Sequence, residues 1–336
     1  MADGVGPVSY RGAVTEAPVT APPLPAVPPP AARRRGAPLL ALLVAAASAV
    51  GVGVLHRVFV ATTSGQWVEY AAYQGARYGQ SRLWQVAERV LDVVSVGFIL
   101  VVLLTAMAIA VLRRRWLLAV QVAVLMAGAN LTTQLLKGYV LDRADLGVPA
   151  GYGNTLPSGH TTAAGSVAAA LLLVVPPRVR PWVAVLGAGY TAVTGVSTLV
   201  GQWHRPSDVV AAVLVVLAWT AVACVLAGAA RPRAGTATGA IPVVGGPRGR
   251  GETAARLVET LLGVLGAGAS AVAGVLLAQV WSQAGDQGLR VGQSEHLVAY
   301  AGGAAGVVGA SCLAFAVMLG LRRASAGRAT ARATRA

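Results

Sequence analysis

Residues 204–229 read HRPSDVVAAVLVVLAWTAVACVLAGA, and this stretch joins a polar motif to a long apolar run. Apart from Asp208 near its start, the run 207–229 carries no charged residue. A helix needs about 20 mostly apolar residues to cross a bilayer, so we predict that this run spans a membrane. His204 and Asp208 then lie where the helix meets the water boundary.

The composition of the whole chain supports this interpretation. The 336 residues are 56% hydrophobic and 12% charged, and the mean hydropathy is +0.66, which excludes an ordinary soluble domain. We therefore predict an all-α fold, a polytopic membrane helix bundle with about eight transmembrane helices. The apolar stretches of sufficient length are 38–61, 90–112, 116–137, 160–177, 182–202, 207–229, 257–281 and 296–321.

Shifts in composition divide the chain into five predicted segments. The first is rich in Pro and Ala and lacks the apolar content needed to fold, and a later Gly-, Pro- and Arg-rich stretch has the character of a linker. The segments are a disordered cytoplasmic tail (1–37), a six-helix core (38–230), a flexible cytoplasmic linker (231–256), a C-terminal helix pair (257–322) and a basic cytoplasmic tail (323–336).

The C-terminal pair carries small residues at the spacing that allows helices to pack closely in lipid. Gly302 with Gly306, and Gly263 with Ala267, are the predicted contact positions. No catalytic cluster is evident there. Four outer polar residues are interpreted as a solvated loop, with contact to a substrate or partner as the alternative: Asp286, Arg290, Glu295 and His296.

Arginine clusters predict the orientation, because cytoplasmic loops retain positive charge. The clusters fall on one side of eight spans, at 33–35, 113–115, 178 with 180, 231–256 and 322 onward. Both termini are then cytoplasmic, and the polar motifs lie on the outer face of a plasma membrane. The use of arginine in place of lysine almost throughout, with abundant Ala, Gly and Val, is typical of a GC-rich bacterial genome.

The formal net charge of +15 does not indicate a nucleic-acid partner. The basic residues are scattered over several loops and no aromatic-basic motif accompanies them. Membrane topology and attraction to anionic lipid headgroups explain the same arginines. We therefore predict a membrane environment and no nucleic-acid binding.

His204 and Asp208 are the first candidate catalytic pair. Their spacing of four places them on one face of a continuous helix, whereas Pro206 favours a new helix that starts between them. Under either geometry the carboxylate can accept an N–H from one ring nitrogen and leave the other as a nucleophile or base. The alternative is a capping aspartate beside an interfacial histidine.

The second cluster, Pro157-Ser158-Gly159-His160, introduces the run 160–177. Backbone N–H groups of Ser158, Gly159 and His160 at a helix start form a natural anion site, and His160 could donate a proton to a leaving oxygen. The alternative is a simple helix cap beside a surface histidine.

Lys137 and Arg143 supply fixed positive charge just upstream. They are six positions apart, so both can reach one ligand only if the chain leaves the helix near Gly138. Such cations suit a phosphoryl group, although cations at helix ends usually reach lipid headgroups.

Together the three clusters resemble the phosphatidic acid phosphatase type 2 superfamily, whose pattern is K-x6-R-P, P-S-G-H and S-R-x5-H-x3-D. The second motif is complete, and the third matches at Ser197, His204 and Asp208 but has Thr198 in place of arginine. In the first motif five residues instead of six separate the two cations, and Ala144 replaces proline. The resemblance covers about residues 90–229.

The resemblance implies that His204 attacks phosphorus to give a phosphohistidine while Asp208 orients its ring. His160 would protonate the departing oxygen and later activate water. The phosphate oxygens would be bound by Lys137, Arg143, Ser158 and Gly159, with no metal and no other cofactor. Arg205 could compensate for the arginine that the third motif lacks. From its position next to His204, we favour the alternative that Arg205 contacts lipid phosphates.

We therefore expect a phosphatase that hydrolyses a lipid phosphate or polyprenyl (di)phosphate monoester on the outer face of the membrane. One alternative is a noncatalytic protein of the same fold that binds phospholipid or a partner. Another is a vanadate-dependent haloperoxidase, which the membrane spans disfavour. The sequence leaves the particular lipid and the oligomeric state open.

Overall fold

The computed structural model describes residues 36–93, 101, 104, 105, 108, 116–149, 153–229, 248–284 and 292–333. The described residues form helices and connecting turns and contain no β-strand, which confirms the all-α prediction. We number the helices α1 (Gly36–Leu55), α2 (Thr63–Val93), α3 (Trp116–Leu135), α4 (Gly159–Val174), α5 (Arg180–Val200), α6 (Pro206–Ala229), α7 (Arg248–Gln283) and α8 (Gln293–Ala333).

Six of these helices are long and apolar enough to cross a membrane. The segments are Gly36–Val60, Trp116–Val140, Arg180–Val200, Pro206–Leu226, Gly251–Gln283 and Gln293–Ala324. The first two include a single π-helical turn that extends α1 to Val60 and α3 to Val140. The protein is thus a multi-pass membrane helix bundle. Most of the predicted span 90–112 lies outside the described residues.

Helix α4 is shorter than the predicted span 160–177. It ends at Val174, because Val175 precedes Pro176 and is forced into an extended conformation, with ψ of 153°. The helix lies in the centre of the bundle between α3, α5 and α6, where most of its residues are buried. A Cβ at Gly165 would lie 3.4 Å from Val216, so the glycine lets α4 and α6 pack closely.

Helix α2 begins just after the predicted span 38–61, reaches into the predicted span 90–112, and is not among the apolar spans. Val68, Ala71, Ala72 and Ala76 recur at helical spacing and are buried where α2 packs against α5 and α8. The amide of Gln66 donates to the carbonyl oxygens of residues 60 and 144, at 2.7 and 2.9 Å, and ties α2 to the loop after α3.

Helices α7 and α8 pack against each other, and α8 also contacts α2, α5 and α6. A Cβ at Gly302 would lie 3.1 Å from Leu277, which confirms the predicted close approach there. The prediction for Gly263 with Ala267 is wrong, because no atom lies within 4 Å of a Cβ at 263 and Ala267 is exposed. The closest approach is made instead by Gly266 and Gly309.

The helix ends differ from the predicted segment limits. Helix α7 begins at Arg248, inside the predicted linker 231–256, and α8 continues to Ala333, through most of the predicted tail 323–336. Residues 1–35 and 230–247 lie outside the described residues. The division of the chain into five functional segments stays a prediction.

The tight packing at Gly309 predicts that the change in stability on replacing a glycine by alanine depends strongly on where that glycine lies. A Cβ at Gly309 would meet Ser270 N at 2.9 Å and Gly266 O at 3.0 Å, whereas a Cβ at Gly274 meets nothing within 4 Å. Overpacking costs about 1–3 kcal/mol, and Gly→Ala in an open helix gains about 0.5–1 kcal/mol. Thermal unfolding in detergent should therefore show Gly309→Ala destabilised and Gly274→Ala unchanged or stabilised. Equal effects would contradict the observed packing.

Candidate functional site

The three polar clusters lie at one end of the bundle. Lys137 belongs to the last turn of α3, Ser158 precedes α4, and His204 lies in the turn that joins α5 to α6. Because α3, α4, α5 and α6 run in alternate directions, the end of α3, the start of α4 and the turn before α6 meet at the same boundary. The structure therefore brings together the residues that the sequence places far apart.

The turn between α5 and α6 presents His204. After Gly201, residue Gln202 has a positive φ of 56°, and its side-chain amide donates to the carbonyl oxygen of Tyr73 at 2.9 Å. The N–H of His204 donates to the carbonyl oxygen of Thr198 at 3.3 Å. Helix α6 then starts at Pro206. The new-helix interpretation is thus confirmed, and the continuous helix through His204 and Asp208 is wrong.

Asp208 lies in the first turn of α6 and is buried. Its Oδ2 accepts hydrogen bonds from Nδ1 of His204 at 3.2 Å, from Oγ1 of Thr155 at 2.6 Å and from the N–H of Arg205 at 2.9 Å. The last bond is a capping contact that satisfies a helix-start N–H group. With Nδ1 donating to the carboxylate, Nε2 of His204 is the ring nitrogen left for chemistry.

The start of α4 supplies fewer donors than predicted. Ser158 N–H donates to the carbonyl oxygen of Asp208 at 2.9 Å, so it is not an anion donor. Ser158 Oγ accepts from the N–H of Thr161 at 3.4 Å and caps the helix. Within the described part of the chain, the N–H groups of Gly159 and His160 remain available at this helix start.

His160 and His204 face the same region. Their ring centroids are 6.4 Å apart with an interplanar angle of 68°, and the His160 ring also lies 5.3 Å from the ring of Trp203. Trp203 packs edge-on against Trp84 at 5.9 Å and is 41% exposed. The His160 ring thus has both the His204 ring and the Trp203–Trp84 pair as neighbours at the boundary.

Three cations surround this region. Lys137 is half-buried and lies near enough to Asp208 and His160 for electrostatic interaction with both. The side chain of Arg143 is 5% exposed, after the chain leaves the helix at Leu141. Arg205 is 6% exposed and donates from Nη1 to Oγ1 of Thr155 at 3.0 Å.

The burial of Arg205 corrects the favoured interpretation that it contacts lipid phosphates. Thr198 is fully buried and donates to the carbonyl oxygen of Gly195 at 2.7 Å, so its hydroxyl is used inside α5. The break before Pro206 turns the guanidinium of Arg205 toward Thr155. Arg143 and Arg205 are electrostatic neighbours. The site therefore contains two buried guanidinium groups, although Thr198 stands where the family has arginine.

Glu69 is a site residue that the sequence did not reveal. It lies on α2, is 1% exposed, and accepts from Arg143 Nη1 at 3.5 Å and from the N–H of Ser207 at 3.2 Å. Burial, aided by the Asp208 charge, raises the pKa of Glu69 to about 7. The sequence signal that could have revealed Glu69 is its position next to Val68, in the apolar stripe along which α2 is buried.

Arg143 shares this buried environment. Burial and the neighbouring Arg205 guanidinium lower the pKa of Arg143, against the opposing effect of Glu69 and Asp208. Thr155 is the second residue that sequence reasoning missed, and it links Arg205 to Asp208. The arrangement has the chemistry of a phosphate site, because cations and helix-start N–H groups surround an imidazole whose orientation a carboxylate sets.

A comparison with protein-family models agrees with this geometry. The PAP2 superfamily model matches residues 39–232, more than half of the chain. The chain belongs to the PAP2 superfamily. This family generally comprises phosphatases, so the coarse prediction of a membrane phosphatase family is confirmed. No curated protein and no solved structure was found that matches the chain.

The PAP2 match is wider than the predicted resemblance over 90–229. It begins in α1 and includes α2, which carries Glu69, and it ends at residue 232. Helices α7 and α8 therefore lie outside the matched region. Helix α8 nevertheless packs against three helices of that region, α2, α5 and α6.

The raised pKa of Glu69 predicts a pH-dependent stability difference. The folded protein binds this proton more tightly than the unfolded chain, whose pKa is near 4.5, so Glu69 lowers stability as pH rises from 4.5 through about 7. Glu69→Gln removes this titration. Between pH 5.5 and 8 its stability relative to the natural protein should rise by about 2 kcal/mol.

Thermal unfolding of both proteins in detergent at the two pH values tests the expectation. The matched control is Glu88→Gln, an exposed glutamate on the same helix, which should shift nothing between pH 5.5 and 8. A constant difference between Glu69→Gln and the natural protein would show that Glu69 is ionised throughout.

Proposed function

We propose that this PAP2 protein hydrolyses a lipid phosphate or a polyprenyl (di)phosphate monoester through a phosphohistidine intermediate. The observation that carries the proposal is the pairing of His204 with Asp208. A buried carboxylate holds Nδ1 of the ring, so that Nε2 can act as a nucleophile. The nearby second imidazole and three cations provide the other groups that phosphoryl transfer needs.

In the first half-reaction, Nε2 of His204 attacks phosphorus and the bond from phosphorus to the lipid oxygen breaks. His160 donates a proton to the departing oxygen and gives an alcohol. In the second half-reaction, His160 takes a proton from water, which attacks the phosphohistidine and releases inorganic phosphate. The ring centroids lie 6.4 Å apart, so both imidazoles can contact one phosphoryl group.

The charge that develops on the phosphate oxygens would be neutralised by Lys137, Arg143 and the Gly159 N–H, with the hydroxyl of Ser158 as a further donor. We further propose that Arg205 compensates for the arginine that Thr198 replaces. Its guanidinium is buried next to the His204–Asp208 pair and is held by Thr155. Fixed cations of this kind make a metal ion unnecessary.

A membrane-resident substrate follows from the location of the site at the end of long apolar helices. Trp203 and Tyr139 are exposed at that end, 41% and 86% respectively, as is typical of side chains at a membrane interface. The arginine distribution supports an extracytoplasmic site in a bacterial plasma membrane, with both termini cytoplasmic.

A noncatalytic lipid-binding role is the second candidate, favoured by Thr198 and by the shortened first motif. The two roles differ in turnover. Binding of phosphatidic acid that depends on Lys137 and Arg143, without release of phosphate from any lipid phosphate tested, would favour the binding role.

Replacement of His204 tests the proposed phosphatase directly. We expect the purified protein to release phosphate from phosphatidic acid or a polyprenyl (di)phosphate, and His204→Ala to lower kcat at least about 1,000-fold, because the nucleophile is lost. Denaturing the natural enzyme during turnover of 32P-labelled substrate should trap acid-labile label, which His204→Ala lacks. Added EDTA should leave the rate unchanged.

The matched control is His296→Ala, because His296 lies on α8, stacked on Tyr78 and outside the cluster. It should keep the natural rate. Activity that survives His204→Ala would remove the phosphohistidine mechanism, and absence of phosphate release from every lipid phosphate would remove the phosphatase.

Replacement of Arg205 tests the compensating cation. Loss of one charge-assisted donor to a phosphoryl group costs on the order of 100-fold in rate, so Arg205→Ala should lower kcat by about that factor, with Arg205→Lys intermediate. The control is Arg57→Ala, which removes an exposed arginine near the same boundary. An effect of Arg205→Ala confined to KM would identify Arg205 as a binding group without transition-state function.

A further inference from the structure

An apolar cavity of about 350 Å³ lies between the PAP2 core and the C-terminal helix pair, beside the contacts that α8 makes with the core. Residues of α1, α2 and α6 form one side, and residues of α7 and α8 form the other. Among the residues that line it, the polar ones are Glu69, Ser207 and Ser270. A cavity of this size and lining suits a hydrocarbon ligand.

The residues that line the cavity extend along much of α6 and α8. On α6 its lining runs from Pro206 to Leu217, about 16 Å at the helical rise of 1.5 Å per residue. On α8 the lining runs from Gly303 to Val317, about 21 Å by the same rise. The hydrocarbon core of a bilayer is about 30 Å thick, so the cavity has roughly the length of a lipid chain in one leaflet.

The polar end of the cavity adjoins the phosphate site. Glu69 and Ser207 line the cavity there, and Ser207 directly precedes Asp208 in α6. The Oε2 atom of Glu69 lies 3.5 Å from Nη1 of Arg143, and its Oε1 atom accepts from the N–H of Ser207. The Ser207 hydroxyl is buried and has no hydrogen-bond partner among the described residues. One carboxyl group therefore lies between the cavity and the cations of the site.

Small side chains leave this space open. The α7 and α8 walls include Ala273, Gly306, Ala310 and Ala314. A Cβ at Gly306 would meet only Ala273, at an ordinary 3.6 Å, so larger residues could fill part of the gap. Helix pairs that serve packing alone fill such gaps, because protein interiors are close-packed. The α7–α8 pair instead maintains a cavity beside the site.

We propose that this cavity binds one hydrocarbon chain of the lipid phosphate substrate, which makes α7 and α8 the chain-binding half of the active site. The inference rests on the proposed function for the identity of the substrate. A volume of about 350 Å³ is too small for several turns of a peptide helix about 10–12 Å in diameter, and the apolar lining disfavours a polar ligand. Chain length would thus contribute to substrate selection.

Filling the cavity tests the proposal by activity. Ala273→Phe and Ala310→Phe each place a ring in the cavity, and Ala271→Phe is the control, since Ala271 is exposed on the same helix as Ala273. We expect the two cavity variants to lower kcat/KM for dioleoyl phosphatidic acid at least about tenfold, because the ring displaces two or more methylene groups of the chain from apolar contact. Hydrolysis of dihexanoyl phosphatidic acid should change less than about twofold.

The short-chain substrate also reports whether each variant is folded. Equal losses for both substrates in Ala310→Phe and Ala273→Phe, or no loss for the long chain in either, would overturn the proposal. The control should hydrolyse both substrates at the natural rate.

A binding experiment separates failure of this inference from failure of the proposed function. His204→Ala protein in detergent is irradiated with phosphatidic acid that carries a diazirine on its acyl chain, and the labelled peptides are mapped. Label on cavity residues of α7 and α8, abolished by adding Ala273→Phe but not Ala271→Phe, would support the inference even without turnover. Label confined to exposed residues, or equal labelling by diazirine phosphatidylcholine, would overturn it.

Discussion

The hydrogen bonds to one oxygen of Asp208 hold the site together. Oδ2 accepts from the His204 ring, the Thr155 hydroxyl and the Arg205 N–H, so a single buried carboxylate orients an imidazole, orders the loop before α4 and starts α6. A buried carboxylate is costly unless it is fully hydrogen-bonded, and these donors supply that satisfaction. The orientation of the proposed nucleophile and the path of the chain into α6 are therefore consequences of the same contact.

A second buried carboxyl, Glu69, has the opposite character. Burial and the Asp208 charge raise its pKa to about 7 although it accepts two hydrogen bonds, whereas Asp208 accepts three. Glu69 also connects three parts of the molecule, since it contacts Arg143, the start of α6 and the wall of the apolar cavity. The net charge of the site thus depends on a residue of α2, which belongs to the PAP2 match but to none of the three motifs.

Much of this architecture could be predicted from sequence because membrane spans have a strong compositional signal. The run after Asp208 and the Pro206 break both indicated where α6 begins, and the three motifs indicated one shared boundary. Glu69 could not be found in this way, because its partner Arg143 is 74 residues away and its helix lacks a spanning run. The Ser158 N–H was misjudged for a similar reason: its acceptor, the Asp208 carbonyl, comes from another helix.

That main-chain bond between Ser158 and Asp208 has a consequence for interpreting variants. It joins the starts of α4 and α6 through atoms that every amino acid except proline can supply, so the frame that carries both histidines does not rely on the identity of either side chain. Exchange of an imidazole therefore alters reactivity, while this main-chain bond still joins the starts of the two helices. Related sequences could therefore differ at either histidine and retain this link between α4 and α6.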